Sequence, residues 1–130
     1  LSVEYTYDEG NNVLYTRFFG VVTNLDLRDQ AQAIGQDPRV KSGVRELVDL
    51  EGVEEVASSS TALDDVICID CENSAKLAGM RTAVVASRDF IFGFARMYKS
   101  LAEIEGSPAT VQVFRTFSEA RQWLGLENDG

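Results

Sequence analysis

Histidine is absent from this 130-residue chain. Its absence removes the commonest general base, the usual partner of Ser and Cys nucleophiles, and the commonest metal ligand. Basic residues are also few: 12 Lys and Arg stand against 21 Asp and Glu, a formal net charge of −9. No basic run longer than an isolated Lys or Arg offsets that charge. Nucleic acid and anionic membrane surfaces are polyanions, and the field of such a chain repels both. No apolar run approaches the ~18 residues of a membrane span. The opening LSVEYTYDEG lacks the charged and apolar regions of a signal peptide, so a cytoplasmic protein is expected. The first residue is Leu1, so the native start residue is expected to be missing or substituted. Only two cysteines occur, and a chain of this size needs no disulfide or metal to build a core.

What is present reads as one α/β domain over residues 1–126, with 127–130 as a frayed tail. Val3–Tyr7 and Val13–Phe19 flank Asp8-Glu9-Gly10-Asn11-Asn12, the pattern of a hairpin closed at Gly20. Thr23-Asn24-Leu25-Asp26 fits a capping box with Asp in place of Glu. The helix it opens carries Leu27, Ala31 and Ile34 on one face and stops at Gly35 and Asp37-Pro38. Val44–Leu50 reads as a strand that ends in a turn at Glu51-Gly52. Ser58-Ser59-Ser60-Thr61 offers caps for a helix running to about Ala78, with Leu63, Val66, Ile67, Cys71 and Ser74 near one face. Thr82–Ala86 is a strand, and Ser87 with Asp89 is placed to cap the helix Arg88–Glu105. Val111–Arg115 is the last strand, and Thr116-Phe117-Ser118-Glu119 opens a short helix through Trp123-Leu124. The order is β-β-α-β-α-β-α-β-α, a mixed, mostly parallel five-stranded sheet with packed helices.

Several strings in this order resemble the SpoIIAA-like (STAS/SEC14-like) superfamily, in particular its uncharacterised bacterial branch. They are Gly20-Val21-Val22-Thr23, Asp37-Pro38-Arg39, Leu47-Val48-Asp49-Leu50, Ala83-Val84-Val85-Ala86, Phe92-Gly93-Phe94-Ala95-Arg96-Met97-Tyr98, and Val113-Phe114-Arg115 through Ala120 to Trp123-Leu124. The resemblance covers essentially the whole chain. It implies either protein–protein regulation or, as in SEC14-like relatives, binding of apolar ligands or membrane surfaces. The anti-sigma antagonists of the superfamily carry a phosphorylatable Ser in Asp-Ser-Ser/Thr-Gly. Here Asp49 is followed by Leu50-Glu51-Gly52, so that switch is not carried over.

Each candidate site has a plainer alternative. Cys68-Ile69-Asp70-Cys71 is a C-x-x-C, but zinc needs about four ligands and a redox pair sits at a helix N-terminus. Two core or half-buried free thiols are expected instead. Ser58, Ser59 and Ser60 are phosphorylation candidates, with helix capping as the expected role. Asp49, Ser87 and Arg88 are expected to gather beyond the carboxyl ends of strands, where open α/β sheets bind ligands, or else to mark a solvated strand end. Glu51, Glu54 and Glu55, with Asp64 and Asp65 beyond, read as a charged face and lack the periodicity of a calcium loop.

The helix around Phe92, Arg96 and Tyr98 is the most suggestive element. Phe90, Phe94, Met97, Leu101 and Ile104 make one apolar stripe, and Ile91, Ala95, Tyr98 and Ala102 an adjacent one. Together they exceed one core-facing stripe. Gly93 is expected to permit a close backbone approach, and Arg96 to meet an anionic group. The expectation is a non-enzymatic interaction or regulatory module without cofactor or metal, with a protein partner or a second copy. A carrier or sensor of a small apolar or lipid-like ligand is the alternative, and a thiol redox protein the weaker one.

Overall fold

The computed structural model describes residues 2–126, so the expected tail at 127–130 lies outside the described residues. The element order is β1 (Val3–Asp8), β2 (Val13–Thr23), α1 (Asn24–Gln36), β3 (Arg45–Ala57), α2 (Ser60–Glu72), β4 (Arg81–Val85), α3 (Asp89–Glu105), β5 (Thr110–Phe114) and α4 (Phe117–Leu124). The five strands lie in sequence order, β1-β2-β3-β4-β5. β1 pairs antiparallel with β2, and the remaining neighbours pair in parallel.

This topology dictates the layers. Crossovers between parallel strands are right-handed, and here each steps in the same direction across the sheet. The three crossover helices, α1, α2 and α3, therefore share one face. Alternation along the strands agrees. Phe18, Val48 and Val84 pack with Ile67 of α2 and with Ile91 and Ala95 of α3. Leu47, Ala83 and Val85 point the other way, onto Ala120 and Leu124 of α4. Leu14 joins Ile34, Val40, Val44, Leu77 and Met80 in a second cluster on the α1 side.

Caps follow the sequence at α1 and α4. Thr23 accepts from the Asp26 amide at 3.3 Å, and the Asp26 carboxylate accepts from the Thr23 amide at 2.9 Å. Thr116 accepts from the Glu119 amide at 3.2 Å. The Asp37-Pro38-Arg39 exit of α1 is a clamp. Asp37 accepts a forked pair from Arg39 at 3.0 and 2.7 Å and a bond from the Tyr5 hydroxyl at 2.9 Å. These donors hold its carboxyl well below the usual range.

Several boundaries differ from the sequence reading, for physical reasons. β2 does not close at Gly20. Glycine adopts φ 65° there, and register shifts at Arg17/Phe19 and Gly20/Val21 let the strand bend and continue to Thr23. β3 likewise runs through Glu51-Gly52 to Ala57, because that extension of β2 gives it a partner. α2 ends at Glu72 rather than near Ala78, with Asn73 at the C-cap. Ser59 holds the N-cap position of α2 without a side-chain cap bond, and its amide instead donates to Asn24 Oδ1 at 3.1 Å. Arg88, not Ser87, is the N-cap of α3.

Candidate functional site

A cavity of about 110 Å³ lies between the sheet and the three crossover helices. Its walls are mostly apolar: Phe18, Val48, Leu50 and Val84 from the strands, Met80 just before β4, Leu27, Ala31 and Ile34 from α1, Leu63 and Val66 from α2, and Phe94 and Ala95 from α3. Six polar residues interrupt that lining or adjoin it. Glu46 from β3 and Thr82 from β4 are register partners, and Thr16 stands beside them on β2. The Thr16 hydroxyl donates to Glu46 Oε2 at 2.7 Å and accepts from Gln30 Nε2 of α1 at 3.3 Å. Asp70 of α2 and Tyr98 of α3 face the same space from above.

The electrostatics follow from enclosure. Glu46 is buried, and desolvation raises its pKa against the opposing hydrogen bonds from Thr16 and Thr82. Asp70 keeps partial exposure, yet desolvation, then the nearby Glu46, lift it to about 7. Burial, with Asp70 and Glu46 close by, pushes the Tyr98 hydroxyl well up. Among the described residues, no Lys or Arg lines the cavity. Such perturbed groups in a cleft mark candidate functional sites on physical grounds.

Of the six residues singled out from sequence, the structure brings only Tyr98 to this cavity. Asp49 does not end a strand. It sits within β3 on the opposite face, beside Tyr15, Arg17 and Arg121, and accepts from the Glu51 amide at 2.8 Å. Ser87 is claimed by Glu51, which accepts its amide at 2.8 Å and its hydroxyl at 2.7 Å. Arg115 donates to the Ser87 carbonyl at 3.0 Å and to Asp89 at 2.6 Å, and lies 4.0 Å over the Phe92 ring. Glu51 within β3, Ser87 and Asp89 after β4, and Arg115 after β5 therefore form a self-satisfied network. Phe92 belongs to it and not to the outer face of α3. Arg88 and Arg96 are exposed and make no side-chain hydrogen bond among the described residues.

Gly93 faces open space: a Cβ there meets nothing within 4 Å, so no close backbone approach within the chain requires glycine. Cys68 is exposed and Cys71 half-buried, both free, which corrects the expected burial of Cys68. Helical phase explains the difference, since Cys71 turns toward the Gly106 carbonyl at 3.7 Å while Cys68 faces outward. Burial first, then neighbouring acids, raises the Cys71 thiol. A maleimide time course followed by intact mass is expected to show one fast adduct, at Cys68, and one slow adduct, at Cys71. Equal rates would contradict this placement.

Three signals for the cavity groups were present in the sequence. Glu46 shares a strand phase with Val48 and Leu50. Asp70 falls seven residues after Leu63 and four after Val66. Gln30 lies three after Leu27 and four before Ile34. Each is a polar residue in an apolar phase.

No family model matches the chain, and no curated protein does. A solved structure does match. It is an uncharacterised protein of the DUF3478 family, with a SpoIIAA-like fold, from Shewanella loihica. The match has a TM-score of 0.59 at 13% identity and covers 95% of this chain and 94% of that one. The fold is SpoIIAA-like. Within this SpoIIAA-like sheet, Leu50-Glu51-Gly52 is strand, not a turn presenting a hydroxyl. No helix among the described residues is long and apolar enough to cross a membrane.

Proposed function

We propose that this SpoIIAA-like domain is a non-enzymatic, cytoplasmic interaction module that pairs with a second copy through the outer face of α3. One observation carries the reading. Phe90, Phe94, Met97, Leu101 and Ile104 repeat at spacings of four and three, and Phe90, Met97 and Ile104 are 73%, 39% and 79% exposed. That spacing is the seam of a helix pair. An antiparallel copy related by a two-fold axis at Met97 sets Phe90 over Ile104 and the outer edge of the half-buried Leu101 over Gly93. It also brings Arg88 at one end of α3 toward Glu103 and Glu105 at the other. Two free cysteines fit a reducing compartment.

Magnitudes make the pairing weak. A 17-residue helix is about 25 Å long, and one seam falls short of the ~800 Å² per partner of a standard interface. The charge of −9 on each copy opposes association, so added salt tightens it. Gly93→Ala is the sharpest test. It is expected to stabilise the single copy by ~1 kcal/mol, because helix propensity rises and nothing obstructs the methyl. The same methyl fills the hole for Leu101, so sedimentation velocity is expected to show at least tenfold weaker self-association, and none for Met97→Asp. A wild-type chain that stays monomeric at millimolar concentration would falsify the pairing.

The cavity favours a second reading, a sensor of a small molecule held beneath α3. Its 110 Å³ lies below the ~150 Å³ that holds benzene and far below the ~300 Å³ at which drug-sized pockets begin. A lipid chain exceeds it, and a molecule of about five non-hydrogen atoms fits.

A further inference from the structure

Resting on that second reading, we propose that the cavity takes a small aliphatic amine in its protonated form. Every titratable side chain that lines the space is an acid: Glu46 from β3, Asp70 from α2 and Tyr98 from α3. α1, β2 and β4 add Gln30, Thr82 and apolar groups to the lining, and none of these is charged. A desolvated carboxylate is stabilised by a proton or by a cation, and among the described residues no cationic side chain lines this space. The side chains of Asp70 and Tyr98 have no hydrogen-bond partner among the described residues, whereas Glu46 is already oriented by Thr16.

An ammonium offers three N–H donors, and the three acids offer oxygens from three separate elements. A short branched body then packs on Leu63, Val66 and Ala95, with the Phe94 ring beside it. A carboxylate or phosphate ligand would face two carboxyls with no cation to hold it. The overall charge of −9 draws cations inward and repels anions before they arrive.

Isobutylamine, isobutanol and isobutyrate test the assignment, because they differ chiefly in the head group. The titrations follow amide shifts in the 15N-labelled chain at pH 8, where Asp70, raised to about 7, is mostly ionised. Isobutylamine is expected to shift amides around Glu46, Asp70 and Tyr98 saturably, at least tenfold more tightly than isobutanol, with isobutyrate silent. Asp70→Asn is expected to bring the amine down to the alcohol's affinity and leave the alcohol unchanged. Tyr98→Phe, which keeps the ring, is expected to weaken the amine severalfold. If alcohol and amine bind alike, or isobutyrate binds best, the amine class is wrong while the cavity reading stands. If none of the three shifts these amides, only water occupies the space and both readings fall.

Discussion

Asp70→Asn is expected to make the protein more stable at pH 8 and to flatten its stability profile between pH 5 and 8. The Asp70 carboxyl has a pKa of about 7 in the folded chain, against an ordinary 3.8. The folded state thus holds the proton more tightly than the unfolded state. Stability from this group is complete below about pH 4 and is lost as pH rises to about 7. Glu46 is shifted the same way and adds to the loss. Holding the proton up to about pH 7 instead of 3.8 corresponds to about 4 kcal/mol, and residual solvent contact at Asp70 reduces this to roughly 2–3 kcal/mol. Asp8 and Asp37 are lowered instead, so their contribution is present above the ordinary aspartate pKa and fades only as pH falls below it. Wild-type stability should therefore peak in mild acid. Urea unfolding of both proteins at pH 5 and pH 8 measures the effect, and equal slopes for the two would remove Asp70 as its source.

Leu124→Ala is expected to cost ~3 kcal/mol, within the range for a large-to-small change in a core. α4 is the helix that covers the second face of the sheet, and it is only eight residues long. Leu124 is fully buried there with Leu47, Ala83, Val85 and Ala120. The end of the helix is also tied down by charge. Arg81 donates to the Trp123 carbonyl at 3.0 Å and to the Leu124 carbonyl at 3.2 Å, and Arg45 donates to the latter at 3.0 Å. Cations at a helix C-terminus favour its dipole. Truncating Leu124 removes the apolar anchor beneath those bonds, so the loss should appear as a lower urea midpoint. A change under 1 kcal/mol would mean that the arginine contacts alone hold α4.

Element order and type were legible because each helix and strand obeys its own period and most carry their own punctuation. The capping boxes read at Thr23 and Thr116 are local chemistry: the first forms in full, and at the second the Thr116 hydroxyl caps the Glu119 amide without the reciprocal bond. What was not legible depended on neighbours. Gly20 and Gly52 read as stops, yet each lies in a strand because the other's strand pairs with it. Ser87 read as a cap, yet Glu51, 36 residues away, holds it. The cavity was missed for a related reason. Tyr98 was noticed on its helix, but Glu46, Asp70 and Gln30 meet it only when strand phase and helix phase are laid over one another. The two apolar stripes of α3 were legible, and the structure separates them in part: Ile91, Ala95 and Ala102 are buried and Phe90 and Ile104 stand in solvent, while Phe94 lines the cavity and Leu101 packs against the core.

The sequential strand order has a consequence for how the chain forms. Each strand pairs only with its immediate predecessor and successor in the sequence. During synthesis every new strand therefore finds its template already made, and no pairing waits for the two termini to meet. Each closure spans one crossover, a short loop by the measure that sets folding speed. The β1–β2 hairpin can serve as the seed, and growth then runs in one direction toward β5. α4 alone turns back, to cover the second face once β3, β4 and β5 are in place. Sealing that face follows the pairing of β3, β4 and β5, because α4 contacts all three. Until α4 docks, the apolar side chains of β3 and β4 beneath it stay open to other chains, which makes that short helix the guard of solubility while the domain folds.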